Sequence, residues 1–68
     1  MKHKVYKVDA VEHGEFFYFR FKTLETNPAK VRQLAIECAS GWGAEVIEFE
    51  DITKTLSVDE INDVYEQL

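Results

Sequence analysis

The chain has 68 residues, 46% of them hydrophobic, and a net charge of −5. That length holds one domain, 1–68, with a single small core that buries roughly 60% of the unfolded surface. One cysteine, Cys38, excludes an internal disulfide, no ligand cluster has structural zinc spacing, and no apolar run is long enough to cross a membrane.

Charge is unevenly spread. Up to Gly43 seven basic residues meet five acidic ones, whereas from Ala44 onward Lys54 alone faces eight acids. An acidic second half argues against nonspecific nucleic-acid binding and against anionic membranes, and favours solubility or a basic partner. The start, Met1-Lys2-His3-Lys4, is basic but runs into alternating strand residues instead of an apolar block, so it does not read as a signal peptide. A cytoplasmic protein without a cofactor is expected.

Val5 to Lys22 reads as a hairpin turning at His13-Gly14, where the glycine supplies a positive φ. Counting back from that turn sets Ala10 opposite Phe17, Val8 opposite Phe19 and Tyr6 opposite Phe21 on a core face. The second face then carries Val11 with Phe16, Asp9 with Tyr18, Lys7 with Arg20 and Val5 with Lys22.

After Thr23 a short connection leads to Asn27-Pro28, a helix cap followed by a proline at the first helical position. Val31, Leu34, Ala35 and Cys38 form the apolar stripe of a helix running to about Ser40, and Gly41 is the expected left-handed stop. Ala44 to Asp51 reads as a third strand, with Ile47 and Phe49 on the core face and Val46, Glu48 and Glu50 on the other. Ser57-Val58-Asp59-Glu60 fits a capping box. From there a helix with Val58, Ile61, Val64, Tyr65 and Leu68 on its apolar side is expected to reach the chain end.

The order β-β-α-β-α implies an α+β fold, a two-layer α/β sandwich. The third strand can lie beside the first, giving a three-stranded antiparallel sheet of order 2-1-3, or beside the second as a parallel pair. The first is expected, because it sets Glu48 and Glu50 beside the strand of Lys7, with both helices on one face.

Four features bear on function. Phe16, Tyr18 and Arg20, with Lys7 and Lys22, mix aromatics and cations on the second sheet face, as single-strand nucleic-acid binders do. Glu48 and Glu50 oppose that field, and a solvated or dimer-covered face is the simpler reading. Trp42, between two glycines, either presents an indole to a partner or folds over the helix end to close the core, and the second is expected. Asp59, Asp63 and Glu66, at helical spacings of four and three, form an acidic stripe that a basic partner would relieve and that otherwise solubilises the helix. Catalysis lacks parts: Cys38 lies in the buried stripe, His3 and His13 sit near opposite ends of one strand, and Ser57 is used in capping.

These residues describe a small non-enzymatic interaction or regulatory module acting through the sheet face, the Trp42 loop or the acidic last helix. Homodimerisation is a further expectation, because Phe16, Tyr18, Val5 and Ile36, the last lying away from the helix stripe, leave apolar surface for a small fold to bury. The alternative is an acidic nucleic-acid mimic that inhibits a nucleic-acid-binding enzyme, of the accessory type carried by phages and mobile elements. Single-strand binding on the sheet ranks third.

Overall fold

The computed structural model describes residues 2–67. Strands β1 (Lys4–Glu12) and β2 (Glu15–Thr23) form the hairpin, helix α1 (Pro28–Ser40) follows, then β3 (Glu45–Asp51), a 3₁₀ turn (Thr53–Thr55) and the short helix α2 (Val58–Asn62). The strands make one antiparallel sheet of order β2-β1-β3, an α+β fold.

His13 and Gly14 both take positive φ, 50° and 80°, as the tightest hairpin turn demands. With two turn residues the register has no freedom, and Tyr6 meets Phe21, Val8 meets Phe19 and Ala10 meets Phe17 as the count requires. Tyr6, Val8 and Phe21 then form one buried cluster with Val31 and Ala35 of α1, and Phe19, Leu34, Val46 and Phe49 pack against its rim. Within it the Tyr6 ring stacks on Phe21 at 5.8 Å between centroids and meets the edge of Phe49 at 6.0 Å. Burial first, and then the Asp51 carboxylate, raise the Tyr6 hydroxyl above its ordinary pKa.

The Asn27 side chain accepts the Ala29 amide at the head of α1, and Val31, Ala35 and Ala39 are its buried residues. Cys38, expected in the buried stripe, is only half-buried, and burial raises its thiol pKa. The helix stop also differs from expectation. Gly41 keeps a right-handed φ of −60°, and Gly43, at φ 70°, is the left-handed residue. The chain thus makes an extra tight turn, held by Trp42 and Ala44 amides on the Ala39 carbonyl and by Gly43 on Ser40.

In β3 the face assignment is corrected. Asp9 pairs with Glu48 and Ala10 with Val46, so Ile47 is an extra residue in a bulge. Val46 and Phe49 pack on the core, while Ile47 is exposed. Consecutive apolar Val46 and Ile47 cannot both be served by period two, and the bulge seats the smaller one under α1.

α2 departs furthest from expectation. It ends at Asn62 rather than continuing to the chain end, and Val58 is exposed; Leu68 lies outside the described residues. Further extension would set Asp63 and Glu66 at the negative end of the helix dipole with no cation in the last turn. The chain instead pairs with β2, where the Lys22 amide bonds the Tyr65 carbonyl at 2.8 Å and the Gln67 amide bonds the Lys22 carbonyl at 2.9 Å, a parallel bridge at Glu66.

Nor does α2 share a face with α1, and the expectation of both helices on one face is corrected. Lys22 stands opposite Val5 on the face turned away from α1, and its ammonium donates to the Asn62 carbonyl at 3.2 Å. Arg20 on that face helps to lower the Glu60 pKa. Val5 is fully buried and Val64 nearly so, yet neither belongs to the cluster beneath α1. Handedness supplies the reason: α1 carries the chain from β2 across to β3, and the return from β3 to the far side of β2 is right-handed only over the opposite face.

Candidate functional site

α2 and the residues after it cover one end of the second sheet face, the end of Val5 and Lys22. At the other end Phe16 is 77% exposed, Tyr18 62% and Ile47 52%. These three line one shallow hollow with Asp9 and Glu48. β2 supplies Phe16 and Tyr18 by alternation, and β3 supplies Ile47 because its bulge turns that side chain away from the core. The Lys7 ammonium sits 4.8 Å above the Tyr18 ring and 3.9 Å from Asp9, which holds the ring's position at the edge of the patch. An exposed apolar cluster rimmed by single charges is the composition of a protein-contact surface.

Of the remaining candidates, Arg20 and Trp42 line one hollow with Cys38, Gly41, Tyr65 and Gln67, and the others are dispersed. Arg20 lies on the same face as Phe16 and Tyr18 but toward α2 and Glu60. Trp42 is on the opposite face, where its ring meets Phe19 at 5.0 Å and the edge of Phe17 at 6.2 Å, and half of it remains exposed. It covers the outer end of the core without closing it. The acidic stripe is not a stripe: Asp59 lies in the first turn of α2, Asp63 is its C-cap, and Glu66 belongs to the parallel bridge, with its carboxylate 2.8 Å from the His3 ring.

The capping box at Ser57 and Glu60 forms in both directions. The Ser57 amide and hydroxyl hold the Glu60 carboxyl below its ordinary pKa, with Arg20 adding a smaller share. Asp51 is also lowered. Partial burial acts against this, but the hydroxyl and amide of Thr53 outweigh it, aided by Lys4 and Lys54. Thr53 in turn accepts the Val5 amide at 2.9 Å and so ties the 3₁₀ turn to β1.

A pH dependence follows from these two carboxyls. Both are depressed in the folded state, so their contribution is present above the unfolded pKa and is lost as pH falls through the folded value. Chemical denaturation at neutral and acid pH is expected to show stability falling on acidification. Asp51→Asn should be less stable than the parent at neutral pH and lose less of its stability in acid; identical pH slopes would exclude a role for Asp51.

Sequence reasoning missed Ile47 as a surface residue. The available signal was the adjacent pair Val46-Ile47, which breaks strict alternation. Among the described residues, no group of three or more His, Cys, Asp or Glu side chains converges in a way that could hold a metal ion. No helix of the described residues is long and apolar enough to cross a membrane. In comparisons with protein-family models, curated proteins and solved structures, nothing matches this chain.

Proposed function

We propose that this protein is a small non-enzymatic interaction module whose contact surface is the uncovered end of its second sheet face. The observation that carries this reading is the convergence of Phe16, Tyr18 and Ile47, three large apolar side chains exposed together in a chain this short. Leaving them in water forgoes about 1.5–3 kcal/mol of burial each, and a partner surface recovers it. Phe16→Ser/Tyr18→Ser is expected to keep its circular-dichroism spectrum while losing the proteins captured by the tagged parent from its host extract. Capture undiminished by that double change would remove the reading.

A second reading, the acidic mimic, is favoured by one observation: Glu45, Glu48, Glu50 and Asp51 are all exposed along β3. Such a row presents negative charge to a basic enzyme surface. In that case, Glu48→Gln/Glu50→Gln abolishes capture and Phe16→Ser/Tyr18→Ser does not. Nucleic acid on the sheet has less support, because Lys7 is held by Asp9 and Tyr18 and Lys22 donates to the Asn62 carbonyl.

A further inference from the structure

The two edges of the sheet are treated differently. In an antiparallel ladder the amide and carbonyl of alternate residues point to opposite sides, and those of Lys22 point away from β1, where they bond Tyr65 and Gln67. Phe16, Tyr18 and Arg20 share that orientation, and the described residues include no strand that pairs with them there. The β3 edge is bulged at Ile47 and carries Glu45, Glu48, Glu50 and Asp51, the devices by which sheet edges avoid pairing. Between Phe16 and Phe19, β2 has neither charge, proline nor bulge.

We propose that this open edge of β2 pairs antiparallel with the same edge of a second copy, joining the two sheets into one. The inference rests on the interaction reading above and names its partner. That the edge accepts an added strand is visible at Lys22, where Tyr65 to Gln67 already do so. Outward groups must meet outward groups, so Phe16 of one copy bonds Tyr18 of the other about a two-fold axis at Phe17. Sliding the strands to set Tyr18 against Tyr18 would bring Gly14 of the second copy against Lys22, whose backbone groups are occupied. The axis at Phe17 sets that glycine against Arg20, clear of the bridge. It also brings the positive Arg20 end of each strand beside the acidic Glu12-His13-Gly14-Glu15 turn of the other, a complementary charge pairing. On the face left free by α2, Phe16 and Tyr18 of both copies become cross-strand neighbours in one aromatic cluster. On the other face Trp42, half-exposed over Phe17 and Phe19 beside this edge, gains a covering neighbour.

Sedimentation equilibrium and amide hydrogen exchange by NMR, each across a range of protein concentrations, test the pairing. The mass is expected to rise from 7.9 kDa toward twice that value. In step with it, exchange at the Phe16, Tyr18 and Arg20 amides should slow by about tenfold or more. Tyr18→Pro removes an outward amide and no bond to β1, so a folded monomer is expected. Tyr18→Lys, which keeps the amide but sets a charge in the aromatic cluster, should also be a monomer. Lys30→Ser, exposed on α1 and outside the contact surface, should dimerise as the parent does. A monomer at every concentration overturns the inference and leaves the face reading intact. A dimer that Ile47→Ser abolishes, with fast exchange at those three amides, also overturns it and moves the contact from edge to face. The face reading fails separately, if neither self-association nor host capture depends on Phe16 and Tyr18.

Discussion

Phe21→Ala is expected to cost about 3–5 kcal/mol, enough to unfold a domain of this size under ordinary conditions. Phe21 is fully buried, stacks on Tyr6 and lies in the cluster closed by Val31 and Ala35. No small neighbour can collapse into the space it would leave, since α1 contributes alanines there and β1 is held by ladders on both sides. Phe19, on the same face, is only half-buried beneath Trp42, so Phe19→Ala should cost less. Tyr18→Ala, on the exposed end of the opposite face, should cost least of the three. Urea denaturation of these variants checks the ranking, and a loss at Tyr18 as large as that at Phe21 would mean that a partner buries the second face.

The second large effect is expected at Val5. Alternation assigns Val5 and Val11 to one face, yet Val5 is fully buried and Val11 only partly so, because the end of α2, whose Asn62 carbonyl accepts from Lys22 opposite Val5, covers one end of that face. Val5→Ser removes two methyl groups from a closed site and buries a hydroxyl, a combined cost of about 2–4 kcal/mol. Val11→Ser should cost under about 1 kcal/mol, the range of substitutions away from a packed site. Exchange at the Lys22 amide is expected to accelerate in Val5→Ser and not in Val11→Ser, since that amide is held by the Tyr65 carbonyl of the segment that Val5 supports. Equal losses at both positions would place α2 elsewhere.

The self-pairing of β2 bears on both variants. Phe21 and Val5 lie at the closed end of the sheet, where the Glu66 bridge occupies the edge, whereas Phe16 and Tyr18 lie at the open end. Stability and association therefore depend on different ends of the same hairpin. Substitutions at Phe16 or Tyr18 should change self-association with little effect on the unfolding of the isolated chain.

Local chemistry made the hairpin, α1 and the capping box legible in the sequence. A two-residue turn with a glycine leaves one register, Asn27-Pro28 opens a helix through the amides it caps and the one it lacks, and Ser57 with Glu60 closes a reciprocal pair. The strand order was favoured and not decided by the sequence, which also admitted a parallel pair with β2; the opposed charges of Lys7 and Glu50, which face each other across β1 and β3, pointed to the observed one. Three features required the tertiary structure. The core has one seat for Val46 or Ile47, and only the shape beneath α1 decides which is turned out by a bulge. The left-handed residue after α1 is Gly43 and not Gly41, because Trp42 must reach back over Phe17 and Phe19. The end of the chain reads as a continuing helix by its apolar spacing. It leaves that helix because the unpaired backbone of β2 at Lys22 offers hydrogen bonds that a helix with acids at its negative end cannot match. That long-range competition also carries α2 to the second face, buries Val5, breaks the row of Asp59, Asp63 and Glu66, and leaves Phe16, Tyr18 and Ile47 as the exposed surface.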